Sequence, residues 1–416
     1  MNGFQGLDGT LAAVASRPGA EISGMAAVGV SDRDVVYEGY FGHRAFDGSG
    51  RVGLLPVDRE TRFRVASISK PVTGLGVLRL VERGLLDLDA DLSGPLGFPL
   101  RNPHHPGESI TARMLLSHTS SLRDAGFYFP PLPHGIAELF LPGGRYYEDG
   151  AHFAQDVPGL RYSYCNLGYG ILATCIERIT GRRFDLYMRD EVLSPLGIDG
   201  GYNVNLLSDA GFANLAPLYR KSPGEDGPWD PEGPWLPQVD DYRGVRPALP
   251  VRVGETETGS APRLEDYVPG TNGALFSPQG GLRITALDLS KVLRLLMGDG
   301  SFRGTRLLPA RTLEAMTTAR WEYDPARDGG EPPGFTRATG LALVRTGTVP
   351  AAGGGARLWG HHGDAYGLLG GMFFLPAEGI GFLYLMGGTS LSAEGHRDQE
   401  AEVQVRMLEA LRRGRG

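Results

Sequence analysis

Runs of β-forming residues lie near both ends of this 416-residue chain, and helical patterns fill its middle. Residues 21–30 and 35–41 are β-rich, and the polar sequence Ser-Asp-Arg-Asp at 31–34 joins them, which predicts a hairpin. Further β-rich runs follow near the carboxyl terminus, at 339–345, 370–375 and 380–386. The pattern therefore indicates one sheet that is built from both ends of the chain.

Amphipathic helices are predicted at both termini and after the first strands. A short helix presents Leu7, Leu11 and Val14 on one face, and another closes the chain at 399–412. Apolar residues then recur at three- to four-residue spacing from residue 67 to 84, where Gly84 ends the pattern. Pro71 is tolerated because it lies in the first turn, where no intrahelical donor is lost.

The middle of the chain, residues 86–200, is predicted to be mainly helical. Separate helices are predicted at 110–122, 166–181 and 184–197. Residues 221–262 are rich in proline, glycine and acidic residues and show no period, yet they carry Trp229, Trp235 and Tyr242. A linker rarely contains so many aromatic residues, so a folded-back loop or lid is expected there.

These elements predict an α+β fold with an antiparallel sheet, flanking helices and an inserted helical domain. The first domain is expected to comprise residues 1–80 and 280–416, and the second residues 81–279, with a loop-rich insertion at about 205–265. Hydrophobic residues make up 41% of the chain and charged residues 21%, which is enough for a substantial core.

Charge and motif content exclude several classes of function. With 41 basic and 48 acidic residues, the net charge of −7 argues against a nucleic-acid partner. No run of about 18 apolar residues predicts a membrane span, and the amino terminus lacks a signal-peptide pattern, so a cytoplasmic location is the default unless a leader has been trimmed. Cys165 and Cys175 are both expected to be reduced. The oligomeric state is not readable.

No motif supports a metal or a cofactor. The chain lacks H-E-x-x-H, C-x-x-C and a phosphate-binding loop, and it also lacks the G-x-S-x-G turn of α/β-hydrolases. Two adjacent histidine pairs occur, at 104–105 and 361–362. Neighbouring side chains point apart on a strand, so each pair is a poor bidentate ligand.

Ser67-Ile-Ser-Lys70 is the first candidate for chemistry. Three residues apart at the start of a helix, Ser67 and Lys70 share one face and lie about one turn apart. A lysine whose pKa is lowered by burial can act as the base for a serine nucleophile. The alternative is an ordinary polar pair at a helix start.

Two further motifs follow along the chain. Tyr164-Cys-Asn166 lies at the start of the predicted 166–181 helix, where the tyrosine could relay protons and the asparagine could hold a carbonyl or the lysine. The alternative is a packed aromatic residue followed by a helix cap. His361-His-Gly363 lies in a predicted strand, and its alternative is a surface histidine pair.

Taken together, S-x-x-K, Y-x-N and H-x-G in this order resemble the serine β-lactamase and penicillin-binding-protein superfamily. The resemblance is greatest to its class C-like branch, which includes family VIII carboxylesterases, D-aminopeptidases, D-Ala-D-Ala carboxypeptidases and acyltransferases. It extends over about 20–200 and 270–390, through blocks such as FRVASISKPVTGLGVLRLVERGLLDLD and GGLRITALDLSKVL.

The resemblance implies a role for each motif residue. It makes Ser67 the acylated nucleophile, Lys70 its base and Tyr164 the proton relay. Asn166 and His361 are implied in substrate positioning. The oxyanion hole is implied to be the backbone N–H groups of Ser67 and of Asp364, the residue after Gly363.

One departure from the family pattern bears on the substrate. His361 stands where a lysine would pair with the carboxylate of a β-lactam or a D-Ala peptide, and a mostly neutral histidine is weaker at that task. This favours a carboxylesterase for neutral or amphiphilic small-molecule esters. An acyltransferase, thioesterase or peptide cyclase, a D-stereospecific peptidase with weak β-lactamase activity, and a non-catalytic binding or sensor protein stay open as alternatives. His118 is interpreted as a packed or capped histidine in a structural helix.

Overall fold

A computed structural model describes residues 4–224, 227–249, 263–328 and 334–415. The strands in chain order are β1 (Gly24–Ser31), β2 (Asp34–Phe46), β3 (Gly53–Pro56), β4 (Arg62–Arg64), β5 (Leu218–Lys221), β6 (Trp235–Val239), β7 (Arg283–Thr285), β8 (Ser301–Phe302), β9 (Thr305–Arg306), β10 (Trp321–Glu322), β11 (Thr336–Thr339), β12 (Val344–Val349), β13 (Ala356–Ala365), β14 (Leu368–Leu375), β15 (Ile380–Met386) and β16 (Gly388–Thr389). The helices are α1 (Leu7–Ala15), α2 (Ser69–Glu82), α3 (Ser93–Leu96), α4 (Ala112–Leu116), α5 (Leu167–Thr180), α6 (Phe184–Met188), α7 (Asp209–Ala213), α8 (Ala286–Leu296), α9 (Ala310–Thr317), α10 (Pro325–Asp328) and α11 (Arg397–Gly414).

Nine of these strands form one sheet, in the order β10-β11-β12-β13-β14-β15-β1-β2-β3. Every neighbouring pair in it is antiparallel. Strand β1, from the amino-terminal part, pairs with β15, from the carboxyl-terminal part, so the sheet joins both ends of the chain. The predicted α+β fold with one antiparallel sheet is confirmed.

Helices cover both faces of this sheet. Successive strand residues point to opposite faces, and in β1 both sets of side chains are apolar. In β1, Met25 and Ala27 pack with α1 and α11 in one apolar cluster, whereas Ala26 and Val28 belong to the main core that contains α8. The two terminal helices predicted from the sequence thus lie together on one side. Thr285 caps α8, because its side chain accepts a hydrogen bond from the Asp288 N–H.

The predicted helix at 110–122 is wrong in length. Only Ala112–Leu116 is helical, and the backbone then turns through left-handed conformations at His118 (φ 56°) and Ser121 (φ 61°). Two such residues end a right-handed helix, so periodic apolar residues misled the prediction there. The helices predicted at 166–181 and 67–84 are confirmed as α5 and α2, and 184–197 is helical in three short consecutive pieces.

The segment predicted to lack regular structure at 221–262 contains a strand. Residues 235–239 form β6, which pairs with β5, and β5 runs parallel to β16. Residues 225–226 and 250–262 of this segment lie outside the described residues. A lid role for it, and the division into domains at 81 and 279, stay predictions.

Across the ranges given above, no helix combines the length and the apolar composition that crossing a bilayer requires.

Candidate active site

Ser67 lies in a tight turn between β4 and α2. The turn is a single 3₁₀ segment, Ala66–Ile68, and Ala66 adopts a left-handed backbone conformation with φ 46°. A non-glycine residue held there typically costs about 1–3 kcal/mol, so the surrounding contacts must enforce it. The buried Ser69 hydroxyl supplies two of them, because it donates to the Ala66 carbonyl (2.7 Å) and accepts from the Leu282 N–H (3.1 Å).

Lys70 lies on the first turn of α2, below Ser67, with no exposed surface. Its Nζ donates to Ser67 Oγ (2.9 Å), to Asn166 Oδ1 (2.8 Å) and to the Gln279 carbonyl (3.1 Å). Burial lowers the pKa of Lys70 to about 7, although the charge of Asp124 acts in the opposite direction. An amine with this pKa is a base of useful strength near neutral pH.

Tyr164 also contacts Ser67. Its hydroxyl donates to Ser67 Oγ at 2.8 Å, and Lys70 Nζ lies 4.7 Å from the centre of its ring. Tyr164 is 37% exposed, but the protein around its hydroxyl raises its pKa, chiefly by desolvation. The phenol is therefore protonated at neutral pH and can give its proton to a neighbouring oxygen.

Asn166 is held in one orientation by Asp124, a residue that the sequence analysis missed. The Asp124 carboxylate accepts from the Asn166 side-chain amide (2.8 Å) and from the backbone N–H groups of Asn166 and Leu167 (both 2.9 Å). These contacts cap α5 and fix the Asn166 oxygen toward Lys70. No spacing or motif links two residues 42 positions apart, so sequence patterns carried no signal for Asp124.

His118 is a second residue whose place the sequence did not reveal. It is buried, as predicted, but it lies after the end of α4, and its ring stacks on Tyr164 with centroids 4.5 Å apart. Its Nδ1 accepts the Cys165 N–H at 3.1 Å. Burial lowers the pKa of His118 well below its usual value, so the ring is neutral and acts as a packed acceptor.

His361 lies on β13 beside Tyr164, with ring centroids 6.2 Å apart. Its Nδ1 lies 2.7 Å from the His362 carbonyl oxygen, which can only accept a hydrogen bond, so Nδ1 is the donor. In the neutral ring, Nε2 is therefore the unprotonated nitrogen. Burial and the nearby Lys70 charge lower the pKa of His361 to about 3. The third triplet thus begins with a buried, neutral acceptor.

The two histidines of the pair point to opposite sides of the sheet, as predicted. The His362 ring lies between those of Phe335 and Phe373, at centroid distances of 4.7 and 4.6 Å.

Gly363 lets β13 run directly against the Ser67 turn. A Cβ atom at Gly363 would lie 2.8 Å from the Val65 carbonyl oxygen and 3.2 Å from Ile68. Only a residue without a side chain fits this approach. Asp364 follows with an exposed side chain, and partial burial raises the pKa of its carboxyl. The structure therefore brings the three predicted motifs to one place.

The family model described as Beta-lactamase matches residues 11–406, which is nearly the whole chain. The chain belongs to the Beta-lactamase family. At the level of this family it is a serine hydrolase, and the resemblance inferred from the three motifs is confirmed.

Within this family, the chain is 27% identical to Penicillin-binding protein 4 of Amycolatopsis lactamdurans over 362 residues, which covers 85% of this chain and 81% of that protein. It is 32% identical to Esterase EstB of Burkholderia gladioli over 187 residues, or 42% of this chain and 45% of EstB. Across such curated relatives, the match spans from 27% to 81% of the relative's own length.

Among solved structures, one of the D-amino acid amidase from Ochrobactrum anthropi SV3 is similar, with a TM-score of 0.67 and 20% identity. The match covers 100% of this chain and 100% of the amidase chain. This match supports the Beta-lactamase fold. Within the described ranges, no three His, Cys, Asp or Glu side chains cluster closely enough to hold a metal ion.

Proposed function

We propose that this protein is a carboxylesterase that works through an acyl-enzyme on Ser67. The observation that carries the proposal is the convergence of two proton-handling groups on one nucleophile. Lys70 Nζ and the Tyr164 hydroxyl lie 2.9 and 2.8 Å from Ser67 Oγ, and the pKa of the lysine is near neutrality. No single one of these features would suffice, because a serine needs a base and its leaving group needs an acid.

In the first half-reaction, Ser67 Oγ attacks the ester carbonyl carbon while neutral Lys70 takes the hydroxyl proton. The backbone N–H groups of Ser67 and Asp364 receive the developing oxyanion. Tyr164 gives its proton to the departing alkoxide and is reprotonated from Lys70, which leaves an acyl-Ser67 ester and a free alcohol. Water then attacks the acyl carbonyl carbon while Lys70 takes its proton. The bond to Ser67 Oγ breaks, Oγ regains a proton through Tyr164, and the carboxylic acid is released.

The neutral His361 favours an ester over a β-lactam or a D-Ala peptide. Those substrates carry a carboxylate next to the reacting centre, and a permanent cation in the third triplet would pair with it. His361 offers an unprotonated Nε2 there instead, which can accept a hydrogen bond but cannot neutralise an anion. The similarity to Esterase EstB agrees with this choice.

The test compares wild type with Ser67→Ala in the hydrolysis of p-nitrophenyl butyrate. We expect the substitution to lower kcat/KM by about 10³-fold or more, because the other groups cannot act without the nucleophile. The thermal midpoint should change little, since Ser67 is a small, half-buried residue. Wild type should also gain the mass of one butyryl group on the peptide containing Ser67 when the reaction is quenched.

Ser49→Ala is the matched control, because Ser49 lies in an exposed loop and bonds only to Asp47 and the adjoining backbone. It should retain full activity. A Ser67→Ala protein that hydrolyses the ester as fast as wild type would overturn the mechanism.

A further inference from the structure

A cavity of about 750 Å³ lies beside β4, the strand that leads into the Ser67 turn. Its walls come from the end of β4, the β13–β14 turn, β7 and the hairpin of β5 and β6, and its polar lining includes Arg64, Tyr366, Arg283 and Asp240. Arg64 is three residues before Ser67, and Tyr366 is two residues after Asp364. The proposed mechanism uses none of these side chains.

In the described part of the chain, three arginines line this cavity, and two of them have a carboxylate of their own. Arg283 forms a two-pronged ion pair with buried Asp240, with N–O distances of 2.9 and 2.7 Å. Arg243, whose side chain is 85% exposed at the rim, pairs with Asp241 at 3.3 Å. These two pairs leave no net charge.

Arg64 is the exception. It is only 6% exposed, and its Nε donates to the Gly280 carbonyl (3.2 Å) while its guanidinium lies 5.1 Å from the centre of the Tyr366 ring. Among the described residues, no carboxylate oxygen lies within 4 Å of it, and both oxygens of nearby Asp240 bond to Arg283. A buried guanidinium cannot lose its charge, so it favours an anionic partner.

The backbone connects Arg64 to the reacting centre. The Gly280 carbonyl that accepts from Arg64 follows the Gln279 carbonyl that accepts from Lys70. The guanidinium and the amine are therefore held by adjacent peptide units. A substrate whose carbonyl lies at Ser67 and that extends into the cavity would meet Arg64.

We propose that Arg64 binds a carboxylate of the substrate, so that the preferred esters carry an anionic group at a distance from the ester bond. This inference rests on the proposed esterase function and adds its substrate class. An arginine suits the task because its planar N–H groups bind a carboxylate in two-pronged fashion. Recognition of the substrate anion would then lie in this cavity instead of in the third triplet.

The test uses two matched pairs of esters. In the first, mono-p-nitrophenyl adipate is compared with p-nitrophenyl hexanoate, which places the carboxylate on the acyl side. In the second, 4-(butyryloxy)benzoate is compared with its methyl ester, which places it on the leaving-group side. We expect wild type to prefer the anionic ester in one of the two pairs, and the pair identifies which half of the substrate enters the cavity.

Arg64→Gln should reduce kcat/KM for that anionic ester by about 10- to 100-fold, the range for a lost charge-assisted hydrogen bond. Its kcat/KM for the neutral ester should stay within about threefold of wild type. Arg243→Gln removes a positive charge from the rim of the same cavity and should change neither value more than about twofold. Equal losses on both esters in Arg64→Gln would overturn the proposal.

Wild type provides a second measurement that does not depend on how Arg64→Gln folds. If it shows no preference for the anionic ester in either pair, the carboxylate site is wrong. Neutral esters that are still hydrolysed through Ser67 in that case would leave the esterase proposal intact, so the two failures are distinguishable.

Discussion

Arg64 and Lys70 are two buried cationic side chains at equal sequence distance from Ser67, one three residues before it and one three residues after it. Lys70 points toward Ser67 and donates to three oxygen atoms, and burial brings its pKa to about 7. Arg64 points into a cavity and donates to one carbonyl. The segment from β4 to α2 therefore places one cationic side chain against Ser67 and another in the wall of the cavity.

The chemical difference between the two side chains explains the different roles that we propose for them. An ammonium group loses its proton readily when water is removed, so a buried lysine becomes a base. A guanidinium keeps its charge under the same conditions, so a buried arginine becomes a fixed binding group. Burial is common to both, and the residue type decides between proton transfer and anion binding.

Replacing the amine at position 70 with a guanidinium should have the largest effect on activity. Lys70→Arg keeps a positive charge but removes a group that can be neutral at pH 7. We expect kcat/KM for p-nitrophenyl butyrate to fall by about 10³-fold or more, within the range of a lost general base. The measurement is steady-state kinetics with a thermal scan of each protein.

Lys291→Arg is the matched control, because Lys291 bonds to the Gly197 carbonyl and to Asp288 at a distance from the site. It should keep wild-type kinetics. If Lys70→Arg retained more than a tenth of the wild-type rate while folded, Lys70 would not be the base.

Removal of the Tyr164 hydroxyl should have the next largest effect. Tyr164→Phe keeps the ring that packs on His118 and Lys70 but deletes the proton relay, so kcat/KM should fall by about 10²-fold. Tyr162→Phe is the control, because the Tyr162 hydroxyl bonds to the Thr336 side chain. Esters whose alcohol product is strongly acidic should show the smallest loss of kcat/KM, since their leaving group needs no proton. An equal loss in the two variants would argue against the relay.

The pH profile should show a smaller and graded effect. Lys70 must be neutral to accept the Ser67 proton, so kcat/KM should fall about tenfold per unit below an apparent pKa near 7. His361 has a pKa of about 3 and does not titrate in this range. The Asp124 charge raises the pKa of Lys70, so Asp124→Asn should move this acid limb to lower pH, by roughly one unit.

This shift separates electrostatic positioning by Asp124 from a purely structural role, which would lower the rate without moving the limb. Asp89→Asn removes a carboxylate that pairs with Arg113 and should leave the profile in place. An acid limb that moves to higher pH in Asp124→Asn, or does not move, would contradict the assigned electrostatics.

Local sequence patterns predicted the elements that carry the motifs. The helix predicted to begin at Ser67 follows from apolar residues within one short stretch, and Gly84 and Gly181 end their helices with positive φ angles, as glycines do. The prediction of a helix at 110–122 was wrong for a local reason. The backbone has positive φ at His118 and Ser121, and neither is a glycine, the residue type that usually indicates such a conformation.

The three motifs and the family follow from the sequence alone, because S-x-x-K on a helix places Ser67 and Lys70 on one face and the two later motifs follow in the order typical of the family. The features built from distant segments depend on the tertiary structure: the contact of Asp124 with Asn166, the stacking of His118 on Tyr164, and the cavity beside Arg64. The two kinds of feature differ in the sequence distance between the residues that interact. Spacing along one helix or strand is fixed by backbone geometry, whereas contacts between segments depend on how loops without a period pack against each other, and desolvation of Lys70 and His361 arises only from that packing.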